Sequence, residues 1–322
     1  MNPAPELLPL AQFLYFGGMA LTLAVIVIRM ASLADGPLAP LAEIRPQAAF
    51  IAAMCVGVSF LLGDDAYAYA AVFAFLAAAF PLAIYRRPKL EPLIKDAKGV
   101  ARVLTWNAGA AAFGGRLRGG SPLSDGAVKL LRGSRADLVV LQEATATDAA
   151  RFLSGEGDYS ALTAHEGDGP ALRIFAHTDL PARLLSGGAP KLQRVRIDLP
   201  DTAPLIIFAV HAPPPWATDR SDSFTMLIEA IVKETKAGRR AALVGDLNAS
   251  PFGVIFARLK EEAGLRDPRR GRRPIATWPI PVFGPGLQID HILVGPDVAV
   301  VDHQIGPMQR SDHTPIWADL RW

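Results

Sequence analysis

Cysteine is almost absent. The one residue, Cys55, admits no intramolecular disulfide and says nothing of redox compartment. A dominant charge is missing too: 33 Lys and Arg stand against 31 Asp and Glu, so no global field advertises nucleic acid as a partner. There is no internal repeat and no low-complexity tract. What is missing locally is more informative. Residues 7–28, 46–63 and 66–85 contain no charge at all, in stretches of 22, 18 and 20 residues. Each is near the ~20 residues that carry a helix across a bilayer. The overall 51% hydrophobic content therefore reflects an apolar first quarter. The first stretch is too long, and lacks the basic start, for a cleaved signal peptide.

Lys and Arg are absent before Leu7 and from the GDDAY turn, whereas Arg29 and Arg45 border the first loop. Arg86, Arg87, Lys89, Lys95 and Lys98 follow the third stretch. The positive-inside rule then predicts an inner-membrane, multi-pass chain with its first loop and C-terminal part in the cytoplasm. A periplasmic C-terminal part is the alternative. The expected division is a membrane domain at 1–87, a polar linker at 88–99 and a second domain at 100–322.

From residue 100 the texture becomes short apolar runs alternating with amphipathic stretches. Strands are predicted at 101–106, 137–141, 171–176, 193–199, 205–210, 241–244, 288–294 and 314–320, and helices at 125–133, 147–153, 221–236 and 251–262. In the third helix Phe224, Leu227, Ile228 and Ile231 recur at helical spacing. Strands outnumber helices, which favours a two-sheet α/β core flanked by helices.

Polar residues recur where these strands end. Asn107 follows the first, Glu143 follows DLVVLQ, His211 follows LIIFAV, and Asp246 and Asn248 follow AALVG. Asp290 interrupts LQIDHILVG, and Asp312 and His313 precede the last strand. In extended chain Asp246 and Asn248 would share a face, with Leu247 turned back. One such residue is a turn or a cap; eight in succession are a site. Buried carboxylates need a partner or a cation, and oxygen donors without thiols favour a hard ion such as Mg²⁺, with Mn²⁺ an alternative.

The order WN (Trp106-Asn107), QE (Gln142-Glu143), H-x-P (His211 to Pro213), GDLN (Gly245 to Asn248), ATW (Ala276 to Trp278), IDH (Ile289 to His291) and SDH (Ser311 to His313) resembles the endonuclease/exonuclease/phosphatase superfamily, and within it bacterial membrane-anchored members. The resemblance spans about residues 100–322. It implies a four-layered α/β/β/α sandwich behind about three transmembrane helices, and metal-dependent hydrolysis of phosphate esters. By the same resemblance Glu143 is the principal metal ligand, supported by Asn107 and Asp312, while Asp246 and Asn248 hold water and phosphate. His313, oriented by Asp290, is a general base or a phosphate-stabilising imidazolium, and His211 acts from across the scissile bond. Nucleic acid and phospholipid or inositol-phosphate headgroups are all admissible substrates, and a catalytically idle membrane scaffold is the remote alternative function. No protein partner is inferable.

Other polar residues read more plainly. His291 should pack on the opposite strand face from Asp290, and His165, His177 and His303 should lie on surfaces or loops. Arg173 reads as a solvent-facing strand residue, with a phosphate clamp in the cleft as the alternative. The cluster Arg266, Arg269, Arg270, Arg272 and Arg273 reads either as a solvated loop or as a contact for nucleic acid or anionic lipid. Trp216 could stack on a base, enter headgroups or cover the core.

Overall fold

The computed structural model describes residues 7–32, 36–85, 94, 97–109, 123–155, 158–163, 169–187, 189, 191–269, 276–278 and 286–322. Three helices, α1 (Leu8–Met30), α3 (Arg45–Leu62) and α4 (Asp65–Tyr85), match the uncharged stretches and are long and apolar enough to cross a membrane. Their packing is inside-out. Small residues such as Ala48, Ala52, Ala71 and Ala78 are buried between them, while Phe13, Phe60, Phe73 and Phe80 point outward. At Gly18 an added Cβ would lie 2.7 Å from the Cys55 sulfur, so this glycine permits the close approach of α1 to α3. Pro81 lies inside α4 and brings no N–H for the carbonyl four residues before it. Arg45 supplies the missing donor: its Nη2 bonds the Ala77 carbonyl at 2.8 Å and its Nε bonds that of Ala78 at 3.2 Å.

A five-residue helix, α2 (Ala39–Glu43), lies in the loop between α1 and α3. No periodicity announces it, because it is shorter than two helical turns.

The remaining strands form two sheets. The first has the order β10-β11-β1-β2-β4-β3, from β1 (Val100–Asn107), β2 (Leu138–Ala144), β3 (Tyr159–Ala161), β4 (Ala171–His177), β10 (Ala299–Ile305) and β11 (Ile316–Arg321). The second runs β5-β6-β7-β8-β9, from β5 (Ala182–Leu184), β6 (Leu192–Ile197), β7 (Leu205–His211), β8 (Arg240–Asp246) and β9 (Asp290–Val294). Only β1/β2 and β7/β8 are parallel pairs; the other pairings are antiparallel.

Alternation along the strands divides the core in three. Val103, Val140 and Ile174 of the first sheet meet Ile207, Val244 and Ile292 of the second. The outer face of the first sheet, with Leu104 and Val139, is covered by Leu131 of α5 (Asp125–Gly133) and Phe152 of α6 (Ala146–Leu153). The outer face of the second, with Phe208 and Leu243, is covered by Phe224 and Ile231 of α7 (Arg220–Lys236) and Phe256 of α8 (Val254–Glu261). The layers are therefore α/β/β/α, as expected.

β3, β5 and β10 went unforeseen. All are short or at sheet edges, and β10 carries Asp302 and a register irregularity between Val300 and Asp302. His303 consequently lies not on the surface but buried on β10, its Nδ1 3.1 Å from Nη1 of Arg269.

The apolar helices are not a loose tether. Arg29 Nε donates to the Phe252 carbonyl at 2.8 Å, and the Tyr85 hydroxyl donates to Asp267. Glu43 of α2 is buried against Arg220 and Ser250.

Candidate active site

Parallel strands collect their C-terminal ends on one side of a sheet, and both parallel pairs deliver polar residues there. In the β7/β8 register His211 stands opposite Asp246, and across β8/β9 Asp246 stands opposite Asp290. Asn107 closes β1 beside Gln142, one residue before Glu143.

These side chains meet. Asn107 Nδ2 donates to Asp246 Oδ2 at 2.9 Å and to Glu143 Oε1 at 3.4 Å. His211 Nε2 lies 3.5 Å from Glu143 Oε1 and 3.9 Å from Asp246 Oδ2. His313 Nδ1 is 2.9 Å from Asp290 Oδ2, and its Nε2 is 4.0 Å from Asp246 Oδ2. Six of the eight expected residues thus form one contact network joining the two sheets.

Asn248 and Asp312 join through other partners. β8 ends at Asp246 and Asn248 has φ 47°, so the extended-strand geometry does not apply to the pair. Instead Asp246 Oδ1 accepts the Asn248 backbone N–H at 2.8 Å in an Asx turn, and the Asn248 amide donates to the Ala212 carbonyl at 2.9 Å. Leu247 does face back, into the core under α7 and α8. Asp312 Oδ2 accepts from Trp278 Nε1 at 3.1 Å.

The turn needs Gly245. Its φ is 145°, and an added Cβ would collide with the Val210 carbonyl on β7.

Electrostatics separates the roles. Burial, then the charge of Asp290, raises the pKa of Asp246, against the pull of His313, His211 and Asn107. Burial disfavours a charged His313, but the Asp290 carboxylate and its hydrogen bond outweigh this and push the ring up to about 10. The Asp290 partner thus favours the charged form of His313. Glu143 is the open group, with 40% of its side chain exposed.

The donor set fits a hard divalent cation. Glu143 and the Asn107 carbonyl oxygen are hard donors beside Gly109, where any side chain would strike the Glu143 carboxylate. The Asp246 and Asp290 carboxylates bring oxygens within 4.8 Å of one another, and Asp290 Oδ1 is buried with no hydrogen-bond partner among the described residues.

Supporting residues explain the remaining motif letters. Thr277 Oγ1 accepts the backbone N–H groups of Ile289 and Asp290 at 3.1 and 3.0 Å, fixing the start of β9. Ser311 Oγ donates to the Asn107 carbonyl at 2.7 Å and accepts the His313 N–H at 3.0 Å. Trp106 Nε1 bonds the His313 carbonyl at 3.0 Å.

Arg173 corrects the sequence reading. It is buried, and its Nε donates to the Ala144 carbonyl at 2.9 Å. Glu143 has φ 54° at the irregularity where β2 leaves register with β4, so Arg173 braces the distorted strand end that presents Glu143. Its signal was a lone arginine within an apolar strand, which solvent exposure explains equally well.

His291 packs as expected, its ring against Phe256 and its Nε2 donating to the Ala249 carbonyl at 2.9 Å. His177 is half-buried at the end of β4 beside Asp179. Arg266 bonds the carbonyls of Gly295 and Val298, and Arg269 is buried, so these two are structural. Arg270, Arg272, Arg273 and His165 lie outside the described residues. Trp216 is 66% exposed and does not cover the core.

The family model for the Endonuclease/Exonuclease/phosphatase family matches residues 104–313, and the chain belongs to that family. The fold is similar to that of the AP endonuclease LMAP from Leishmania major, with TM-score 0.54, 16% identity, and coverage of 76% of this chain and 99% of that one. It is also similar to a mannosyl-6-phosphatase from Bacteroides thetaiotaomicron VPI-5482, with TM-score 0.55, 16% identity, and coverage of 69% and 100%. A third likeness is to a family member from Bacteroides vulgatus, with TM-score 0.55, 18% identity, and coverage of 69% and 99%. No curated protein sequence gives a significant match.

Proposed function

We propose that the chain is a membrane-anchored, Mg²⁺-dependent phosphoesterase that cleaves phosphodiester or phosphomonoester bonds by in-line attack of water. The contact network of Asn107, Glu143, His211, Asp246, Asp290 and His313 at the strand ends is the observation that carries the reading. Glu143 and Asn107 hold the metal, with Asp312 in support. When bound, the cation neutralises charge on a phosphate oxygen and on the leaving group. Asp246 accepts a hydrogen bond from the attacking water. His313, kept charged by Asp290, faces the phosphate as a donor, and His211 stands beside Glu143 as acid or donor. Asn248 shapes the Asp246 turn and leaves one amide hydrogen for a phosphoryl oxygen.

In this reading residues 1–87 form the membrane domain, 88–99 the connection and 100–322 the catalytic domain. The outward aromatic faces of α1, α3 and α4 support bilayer insertion. Arg29 and Arg45 stand on the catalytic side of those helices, which supports a multi-pass inner-membrane protein with a cytoplasmic active site. A periplasmic site is the competing topology, and a C-terminal reporter that fluoresces only in the cytoplasm distinguishes them.

The test is turnover by the purified full chain in detergent with Mg²⁺. Chelation should abolish it, and Asp246→Asn should lower kcat by about 10²–10⁴-fold without a drop in melting temperature. A folded Asp246→Asn variant with full activity overturns the mechanism. The joint presence of Glu143, Asp246 and His313 argues against an idle scaffold.

A cavity of about 590 Å³ favours a second reading for the substrate. It lies beside His211 between β6, β7 and α7, lined by Leu192, Phe224 and Leu227 with Lys191 and Lys233 at hand. An apolar pocket flanked by cations suits a phospholipid or inositol-phospholipid better than a nucleic acid. Phospholipid vesicles assayed against plasmid DNA and RNA discriminate the two readings; faster cleavage of the nucleic acid supports an endonuclease.

A further inference from the structure

We propose that Glu43, from the loop between the first two apolar helices, is a positioning residue of the active site: it holds the 248–253 segment that carries Asn248. The inference rests on the phosphoesterase reading for its catalytic consequence, and on contacts alone for its mechanical part.

Glu43 holds this segment directly at Ser250 and, through Arg220, at Asn248. Its Oε2 accepts the Ser250 N–H at 2.7 Å, and its backbone carbonyl accepts the Ser250 hydroxyl at 2.9 Å. Its Oε1 accepts from Arg220 Nη2 at 3.2 Å, and the same Nη2 donates to the Asn248 carbonyl at 2.8 Å. Gly253 then starts α8, and a Cβ there would overlap the Glu43 carboxylate. The carboxylate therefore sits over the amino end of α8, where the helix field favours an anion.

Asn248 lies two residues beyond Asp246 and at positive φ, so its conformation needs support from outside the turn. That support comes from 200 residues away in sequence. Glu43 and Arg220 are buried, and a buried ion pair fixes geometry more dependably than it adds stability. Two other contacts from the apolar helices reach Phe252 at the far end of the segment, the Arg29 Nε bond to its carbonyl and the Tyr85 ring against its ring, but the Tyr85 hydroxyl bonds Asp267 outside it, and Tyr85→Phe keeps the ring while removing only that bond. Docking and positioning are thus separable by mutation.

The full chain in detergent is compared as wild type, Glu43→Ala, Glu43→Gln and Tyr85→Phe. Two readouts are taken: hydrogen exchange of the 248–253 amides, and kcat and KM for bis(p-nitrophenyl) phosphate with Mg²⁺. Glu43→Ala should raise exchange in 248–253 and lower kcat by about 10- to 100-fold at unchanged KM. Glu43→Gln, nearly isosteric and still able to accept from Ser250, should remain folded but less stable, since Arg220 loses its charge partner, and show a smaller change in the same direction. Tyr85→Phe should alter neither readout. Unchanged exchange in both Glu43 variants overturns the proposal, as does an equal effect in Tyr85→Phe. If wild type does not hydrolyse the probe while Asn248 exchange still responds to Glu43, the mechanical assignment stands and the phosphoesterase reading is what fails.

Discussion

At the scale of the residue, two buried histidines are pushed in opposite directions, His291 toward its neutral form and His313 toward its charged form. His291 is sealed between Phe256 and the Ala249 carbonyl, and burial lowers its pKa. Its native form resists protonation while the unfolded chain takes a proton near pH ~6.5. Its contribution to stability is therefore present above that pH and is lost as pH falls toward the lowered value. His291→Gln, which can still bond Ala249, should show a smaller fall in melting temperature between pH 7 and pH 5 than wild type does. An identical pH slope in the two proteins would refute the assignment. The inward packing of His291 was legible because it adjoins Asp290 in an alternating strand. Arg173 and His303 were not, since a charge in a short strand carries no local mark of whether it is buried. Only the distant partners, Ala144 and Arg269, decide that.

At the scale of the element, turns rather than strands set the chemistry. The strands that bear the site could be placed from their apolar runs, and their terminal polar residues could be named. The Asp246–Asn248 geometry could not, because same-face logic holds only while the chain is extended. The glycine that makes the turn is a sharp test. Gly245→Ala should cost about 1–3 kcal/mol through strain at positive φ, plus the displacement of Val210, read as a lowered denaturant midpoint. Thr277 offers a milder probe. Thr277→Val removes the acceptor for two backbone N–H groups and should cost about 1–3 kcal/mol, with kcat falling as Asp290 loosens. If chemical denaturation shows no change for Thr277→Val, the lock on β9 lies elsewhere.

At the scale of the whole molecule, the four layers were predictable and the seam between helices and sandwich was not. Charge-free stretches mark the long apolar helices, but α2 is too short to have a period, and Glu43 looks like any loop carboxylate. Removing residues 1–93 should leave a folded sandwich of lower stability, because Arg220 loses the Glu43 carboxylate and the cover it brings, at a cost of at most about 3–5 kcal/mol. A truncated protein that melts at or above the full chain would show the seam to be incidental.

The amino end of α8 is already covered from within. Many phosphate-binding folds leave such a helix end open, so that backbone N–H groups receive the substrate's anion at a fixed spot. In this chain the carboxylate of Glu43 occupies that place, and under the proposed function phosphate recognition falls to side chains on the far side of the turn. Side chains can be exchanged one at a time without rebuilding a backbone. Substrate preference can therefore drift among phosphate esters while the frame that holds the turn stays the same.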